Sequence, residues 1–299
     1  MTIATAAHPW DAAAEGWDHH SPLIADWLRE VTVAMLDAAG ISKGSRVLDI
    51  AAGAGDQTLA IARRVGPGGR VLATDISPRI LALAQNKLCA AGFAHAATRR
   101  ADAQSLGLAG AGFDAAVSRL GMMFCDEPLD ALREAHAALR PGGRFSAVVF
   151  ASPKGNPCIA LMLALARQHA GIAPALPASA VAPGTLFSLG RPGLLAELLH
   201  LAGFVDIAVR TVSAPMRRPS SKHYVAFVRS AGLPIVQMLA ALPEAAQRAA
   251  WDDITAQLTC FDTPSGWLGP NELLLCAAAR PRDSDCQAAA SDWPQPEGR

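Results

Sequence analysis

A short apolar run meets a glycine-rich turn at Val-Leu-Asp-Ile-Ala-Ala-Gly-Ala-Gly, residues 47–55. The run Arg46–Ile50 predicts a short buried strand, and the residues from about Gln57 to Val65 predict a helix. Small residues between a strand and a helix let a ligand approach the backbone closely. The amino terminus of the helix beyond the turn presents unpaired N–H groups. This segment therefore predicts a ligand-binding turn in an α/β protein. Such a turn does not by itself identify the ligand, since nicotinamide and flavin enzymes use similar turns.

Strands and helices alternate along the rest of the chain. Seven apolar runs predict strands, at residues 46–50, 70–74, 97–100, 113–118, 144–150, 205–212 and 271–279. Strands that alternate with helices on this scale form parallel β-α-β units. We therefore predict an α/β fold with a doubly wound, seven-stranded Rossmann-like sheet, N-terminal helices and a helical cap insertion.

Composition and charge limit the partners that we expect. The chain has 26 Lys and Arg and 26 Asp and Glu, so its formal net charge is zero and no field of one sign favours nucleic acid. The N-terminus lacks a secretory pattern, and the apolar stretch Cys158–Ala166 is shorter than the roughly 20 residues of a membrane span. The six cysteines show no metal-binding spacing. We predict a cytoplasmic monomer or homodimer that binds no nucleic acid, spans no membrane and holds no metal.

Two features of the turn separate its possible ligands, and an acid further along the chain fits either kind. A dinucleotide fingerprint requires a third glycine after Gly53 and Gly55, and Thr58 stands in that place. Asp49 precedes the glycines, where a carboxylate would repel a pyrophosphate but would suit a ligand with ammonium and sulfonium charges. Asp75 ends the second strand, about 20 residues further on, and suits the ribose hydroxyls of any adenosine ligand. The alternative for Asp75 is an exposed carboxylate that caps the following helix.

Residues 47–56 resemble motif I of the class I S-adenosylmethionine-dependent methyltransferases. More narrowly, they resemble the ubiquinone/menaquinone-biosynthesis-type branch (methyltransferase domain 11/25-like). Further matches follow in the order of that family, at 71–77, 100–103, 113–119 and the Leu-Arg-Pro-Gly-Gly-Arg turn at 139–144. The resemblance covers residues 40–150 well and the rest loosely. One departure is Ala51, where many members have glycine, and alanine is small enough that we expect binding to survive.

The resemblance implies S-adenosyl-L-methionine as the cofactor and S-adenosyl-L-homocysteine as its product. Asp102 matches the family's acid near the adenine amino group, and Trp17 matches an aromatic residue near the methionine part, where cation–π attraction to the sulfonium would hold it. Arg119 is predicted to line the site, or to pair with Asp126 or Glu127. The predicted cofactor-binding residues are Trp17, Asp49, Ala51, Gly53, Gly55, Thr58, Asp75, Ile76, Asp102, Ala103, Ser118 and Arg119.

The resemblance also divides the chain into predicted segments. Residues 1–40 are an N-terminal helical cap segment, and 41–151 are the S-adenosylmethionine-binding Rossmann-like core. Residues 152–190 contain an apolar helix and then a proline- and alanine-rich stretch, so we interpret them as a cap insertion rather than a linker. Residues 191–280 complete the core and add a helical acceptor-site region, and 281–299 are a polar tail that we expect to be disordered.

The predicted function is methyl transfer from S-adenosylmethionine to a small apolar or aromatic molecule. A carbon, oxygen or nitrogen acceptor fits equally, and quinone precursors and secondary metabolites both remain open. An acceptor that carries a proton needs a base, and the candidates by position are His20 and His223. The alternatives are an NAD-dependent oxidoreductase, a methyltransferase that acts on RNA or protein, and a binding protein that retains the fold without catalysis.

Overall fold

A computed structural model describes residues 8–173 and 182–282. Its main sheet has seven strands: β1 (Arg46–Ile50), β2 (Arg70–Asp75), β3 (Ala96–Arg100), β4 (Phe113–Arg119), β5 (Leu139–Phe150), β6 (Val205–Ser213) and β10 (Glu272–Ala279). A second sheet has three short strands: β7 (Met216–Arg218), β8 (Asp262–Thr263) and β9 (Gly266–Gly269). This second sheet is not among the elements predicted from the sequence, because strands of two to four residues are too short to show an apolar period.

The helices of the described residues surround the main sheet. They are α1 (Ala14–His19), α2 (Ser21–Trp27), α3 (Arg29–Ala38), α4 (Asp56–Val65), α5 (Pro78–Ala90), α6 (Pro128–Ala138), α7 (Pro157–His169), α8 (Leu194–Leu201), α9 (Ser221–Ala231), α10 (Leu233–Ala240) and α11 (Glu244–Gln257). The predicted N-terminal helical segment, residues 1–40, is broken at His20 and Leu28, whose backbone angles are not helical. Pro234 and Pro243 separate the C-terminal helices, since each lies at the start of a helix.

The main sheet confirms the predicted fold class. Its strand order is β3-β2-β1-β4-β5-β10-β6, with β1 parallel to both β2 and β4, and β10 antiparallel to both β5 and β6. The chain leaves β1 toward β3 on one side and returns to β4 on the other, so the order reverses between β1 and β4. Open α/β sheets bind ligands at this reversal, outside the carboxyl ends of the strands.

The core explains why the central strands read as continuous apolar runs. Val47, Leu48 and Ile50 of β1 are fully buried, because helices cover both faces of the parallel sheet. The helix α5 starts where Ser77 accepts a hydrogen bond from the Ile80 N–H (3.1 Å) and Pro78 occupies the first turn. These local signals place the end of β2 and the start of α5 at one edge of the sheet.

Two groups of helices pack mainly against other helices. The N-terminal α1 packs against α5 and α9, and α7 packs against α10 and α11. The predicted cap insertion contains α7, but part of it, 174–181, lies outside the described residues, as does 283–299 of the predicted tail. No helix of the described part of the chain is long and apolar enough to cross a bilayer.

Candidate active site

A cavity of about 230 Å³ opens at the carboxyl ends of β1, β2 and β4. Its walls include the glycine-rich turn after β1, the acid that ends β2 and the loop that follows β3. The predicted cofactor residues that line it are Trp17, Ala51, Gly53, Asp75, Ile76, Asp102, Ala103 and Arg119. The structure thus brings together side chains that are spread from residue 17 to residue 119.

The turn after β1 has a backbone that glycine favours. Gly53 has φ +58° and Gly55 has φ +86°, both in the left-handed region. A Cβ atom on Gly55 would also lie 2.9 Å from the Ala84 Cα atom, so α5 packs directly against this turn. Gly55 therefore shapes the turn without lining the cavity.

Asp75 is a buried carboxylate that faces the cavity. It is 8% exposed, its Oδ2 accepts a hydrogen bond from the Gly53 N–H (2.9 Å), and its Oδ1 accepts one from the Ser77 N–H (2.9 Å). Burial raises the pKa of this carboxyl group, and the two backbone N–H groups partly oppose that rise. The exposed turn position that was the alternative for Asp75 is wrong, because the side chain is almost wholly buried.

Asp49 lies behind the cavity rather than in its wall. It is fully buried and accepts hydrogen bonds from Gln57 Nε2 (2.5 Å) and Thr58 Oγ1 (2.6 Å). Gln57 stands in the cavity wall, whereas Asp49 and Thr58 do not. Asp49 therefore orients Gln57, a wall residue that is not among the predicted site residues.

The raised pKa of Asp49 predicts that the stability of the fold depends on pH. Burial raises its pKa from 3.8 to about 6, so between these values the folded state binds more protons than the unfolded state. The contribution of Asp49 to stability is therefore most favourable at low pH and is lost as pH rises through the folded pKa. In urea unfolding, we expect the wild type to gain up to about 3 kcal/mol relative to Asp49→Asn between pH 7 and pH 4.

Asp114→Asn is the matched control for that experiment. Burial alone would raise the pKa of Asp114, but hydrogen bonds from the Arg46 N–H and the Arg140 side chain outweigh it and lower the pKa. Asp114 therefore stabilises the fold above its unfolded pKa, and this contribution is lost as pH falls. If the free energies of unfolding of the wild type and Asp49→Asn differ by a constant amount across pH 4–7, the pKa of Asp49 is not raised by burial.

The loop after β3 places a second acid in the wall. Asp102 accepts hydrogen bonds from the Gln104 N–H (2.9 Å) and Gln104 Nε2 (3.2 Å). The Gln104 side chain in turn accepts a hydrogen bond from the Glu127 N–H (2.7 Å). This chain of contacts fixes the loop that carries Asp102 and Ala103.

Arg119 is a partly buried cation in the cavity wall. Its Nη1 donates a hydrogen bond to Thr32 Oγ1 (2.7 Å), and among the described residues no carboxylate forms an ion pair with it. The predicted alternative pairing with Asp126 or Glu127 is therefore wrong. Burial lowers the pKa of Arg119, and the charges of Asp56 and Asp49 oppose that effect. The neighbouring Ser118 is fully buried outside the wall, and its hydroxyl has no partner in the described structure.

Ala51, which stands where many family members have glycine, has its side chain next to Gly121. Ala51 has φ +54°, an unfavourable conformation for a residue with a Cβ atom. A Cβ atom placed on Gly121 would lie 2.4 Å from the Ala51 Cβ atom. Gly121 therefore leaves the space that Ala51 occupies, and both residues line the cavity.

A second, apolar cavity of about 100 Å³ adjoins the first. Four residues line both cavities: Trp10, Trp17, Leu120 and Phe124. The rest of its lining comes mainly from α7, α9 and α10 and from single residues of the sheets, and includes Phe150, Met162, Tyr224, Phe227 and Ile235. Of Met122, Met123 and Phe124, the apolar run after β4, Met123 and Phe124 lie in its wall.

Trp17 lies at the junction of the two cavities. Its indole N–H is buried and has no hydrogen-bond partner among the described residues. A buried donor without a partner is rare and costs free energy. The position of Trp17 agrees with a role beside a ligand that extends through both cavities.

The N-terminal helices are tied to the core around these cavities. Lys87 Nζ of α5 lies 3.1 Å from Asp18 Oδ1, 3.0 Å from Asp56 Oδ1 and 2.5 Å from Ser21 Oγ. Ser21 also donates a hydrogen bond to Asp56, which begins α4 and lines the first cavity. These contacts hold Trp17 over the glycine-rich turn.

The predicted bases lie in neither cavity wall. His20 Nε2 lies 2.9 Å from Ser230 Oγ, and its ring packs edge-on against Phe227 from outside the apolar cavity. His223 is exposed and bonds to Ser220 Oγ (2.9 Å). The histidine in the first cavity wall is instead His8, which sequence position alone did not single out.

The core is a Rossmann-like domain of the kind that binds adenosine ligands. Its strand order, the acids at its strand ends and its glycine-rich turn are the features of that class. Comparison with known families makes the class specific: residues 47–143 match the model of a methyltransferase domain family. The resemblance found in the motifs of this part of the chain is thereby confirmed.

Curated relatives match the same part of the chain. It is 35% identical over 125 residues to a ubiquinone/menaquinone biosynthesis C-methyltransferase UbiE from Hahella chejuensis, covering 42% of this chain and 50% of that protein. It is 36% identical over 126 residues to the UbiE protein of Ectopseudomonas mendocina, covering 42% and 49%. The chain thus spans about half the length of the curated relatives that it matches.

Solved structures extend the likeness to most of the fold. The YcgJ protein from Bacillus subtilis aligns with a TM-score of 0.56 at 17% identity, over 85% of this chain and 99% of that one. Phosphoethanolamine N-methyltransferase 2 from Haemonchus contortus, solved with S-adenosyl-L-methionine, aligns with a TM-score of 0.56 at 17% identity, over 89% and 57%. At this identity, the alignments show a shared fold.

Proposed function

We propose that this protein is an S-adenosylmethionine-dependent methyltransferase that acts on a small, apolar or aromatic molecule. The observation that carries the proposal is the pair of adjoining cavities at the switch point of a methyltransferase domain. One cavity has acids at the ends of β2 and β3, and the other is lined by apolar and aromatic side chains. Trp10, Trp17, Leu120 and Phe124 form the wall where donor and acceptor would meet.

The residues of the first cavity fit the predicted cofactor. Asp75 offers carboxylate oxygens to ribose hydroxyls, and Asp102 offers its carboxylate to the adenine amino group. Arg119 is a cation without a carboxylate partner and would pair with the methionine carboxylate. Gln57, held by Asp49, lies where it can orient the amino acid part. The open glycine turn lets the ligand pass close to the backbone.

When bound, S-adenosylmethionine supplies a methyl group already activated by a sulfonium, so the protein need not generate a reactive group. The protein's work is to hold the acceptor in line and to exclude water. The stacked Tyr224 and Trp267 rings, 4.1 Å apart, stiffen one side of the apolar cavity. Burial raises the pKa of Tyr224 well above its usual value, so its phenol stays neutral.

Calorimetric titration with S-adenosylhomocysteine tests the cofactor, and release of S-adenosylhomocysteine on incubation with aromatic acceptors tests the activity. A thermal-shift comparison with NADH addresses the oxidoreductase alternative. Stabilisation by S-adenosylhomocysteine and not by NADH is the expected result. Stabilisation by NADH alone would overturn the proposal.

Replacing Arg119 by methionine separates binding from folding. Removing a partly buried cation that lacks a carboxylate partner is expected to leave the melting temperature unchanged or higher. The affinity for S-adenosylhomocysteine should nevertheless fall on the order of 30-fold, because a charge-assisted hydrogen bond is worth about 2 kcal/mol.

Arg46→Met is the control for Arg119→Met. Arg46 begins β1 at the opposite end of the sheet, and its side chain bonds to the Ala111 carbonyl (3.1 Å). Its replacement should leave cofactor affinity unchanged. Equal affinities for wild type and Arg119→Met would exclude the carboxylate pairing.

A further inference from the structure

The apolar cavity contains few polar atoms, and most of them are already paired. The Trp27 indole N–H donates to the Ala214 carbonyl (2.7 Å), and the Asn271 Nδ2 atom donates to the Gly269 carbonyl (3.3 Å). Among the described residues that line this cavity, two buried polar atoms lack partners: Trp17 Nε1 and Asn271 Oδ1. The buried polar atoms of this cavity lining thus include one donor and one acceptor that lack partners.

Asn271 is held firmly by its surroundings. It is 2% exposed, its backbone carbonyl accepts a hydrogen bond from the Ala214 N–H (2.8 Å), and its Nδ2 donates to the Gly269 carbonyl (3.3 Å). Because a carbonyl can only accept, the amide atom that faces Gly269 must be the nitrogen. The other amide atom is therefore an oxygen, which requires a donor.

The two unpaired atoms lie at different parts of the cavity. Trp17 belongs to the wall shared with the first cavity, whereas Asn271 lines the apolar cavity and not the first one. Methyl transfer must occur at the shared wall, because donor and acceptor meet there. A group held by Asn271 is consequently a different group from the one that is methylated.

We propose that Asn271 is a specificity-determining residue that anchors the acceptor through a hydroxyl or N–H group remote from the methylated atom. This inference rests on the proposed function. The acceptor class is then an uncharged, mainly apolar molecule with a hydrogen-bond donor at one end and a nucleophilic atom at the other. A buried acceptor left without a donor costs free energy, so analogues that lack the donor bind more weakly.

Three probes of similar shape test the anchor in the protein saturated with S-adenosylhomocysteine. They are 2-naphthol, 2-methylnaphthalene and 2-methoxynaphthalene, titrated by NMR. The wild type should bind 2-naphthol about tenfold more tightly than the other two, because only 2-naphthol has a donor. Asn271→Leu should abolish this preference and leave the affinity for S-adenosylhomocysteine unchanged.

Asn86→Leu makes the same replacement at an exposed position on α5 and should keep the wild-type preference. Equal binding of the three probes by the wild type would overturn the proposal. It would mean that the partner of Oδ1 comes from a separate polar cleft, which Asn271 lines together with Lys154 and Glu272. Tight binding of 2-methoxynaphthalene, or a preference that persists in Asn271→Leu, would also overturn it. The wild-type ranking needs no variant to fold, and loss of S-adenosylhomocysteine binding would instead reject the proposed function.

Discussion

Replacing Asp75 by alanine is expected to weaken S-adenosylhomocysteine binding about 100-fold, or about 2.7 kcal/mol, because two charge-assisted hydrogen bonds to ribose would be lost. The carboxylate is buried at the end of β2 and lines the first cavity. Its bond from the Gly53 N–H also links it to the glycine-rich turn, so the variant should melt at a lower temperature. Calorimetric titration of both proteins measures the affinity.

Asp114→Ala is the control for Asp75→Ala. Asp114 Oδ2 also accepts a backbone hydrogen bond, from the Arg46 N–H (2.8 Å), but at the amino end of the parallel strands. This variant should lose stability without losing affinity. Asp75→Asn, which keeps one oxygen acceptor, should give an intermediate affinity. If Asp75→Ala binds within about twofold of the wild type, the ribose assignment fails.

The second large effect is expected at Gly121. A methyl group there would lie 2.4 Å from the Ala51 Cβ atom, closer than two non-bonded carbon atoms can approach. Such overpacking costs about 1–3 kcal/mol, and it would displace the turn that lines the cavity. We expect Gly121→Ala to lower the free energy of unfolding by about that amount and to weaken S-adenosylhomocysteine binding at least about tenfold.

The double variant Ala51→Gly/Gly121→Ala should recover most of the loss. Glycine at 51 removes the clashing Cβ atom and also relieves the strain of φ +54°. Gly68→Ala is the control for adding a methyl group, since a Cβ atom on Gly68 meets no atom within 4 Å. Urea unfolding of the four proteins of the cycle measures the coupling, and additive effects would contradict direct contact between the two positions.

Most of the fold and half of the site were predictable from local patterns. The strands β1, β2 and β4 begin at the predicted residues, because buried parallel strands read as apolar runs bounded by polar or glycine residues. Asp75 was identified from its place at the end of the second strand, and Asp102 from the resemblance to the methyltransferase family. Gln57 carried a weak signal, its place in the first turn of α4, but no pattern marked it as a partner of Asp49.

The candidate catalytic bases were the least predictable part of the site. His20 and His223 were chosen by position along the chain, and neither lies in the wall of either cavity. A side chain's direction depends on how its helix is rotated, and the N-terminal helices are broken at His20 and Leu28 rather than continuous. The proposed catalytic role of these histidines therefore has no geometric support.

The amino-acid sequence alone determined the methyltransferase domain, because its turn, its strand-end acids and its strand periods each depend on residues close together in the chain. The tertiary structure alone revealed the apolar cavity, the space at Gly121 for Ala51 and the unpaired Asn271. Each of these joins segments far apart in the chain, such as Trp17 and Asn271. Contacts of this kind arise from the packing of whole helices against the sheet, and residue spacing within one segment carries no record of them.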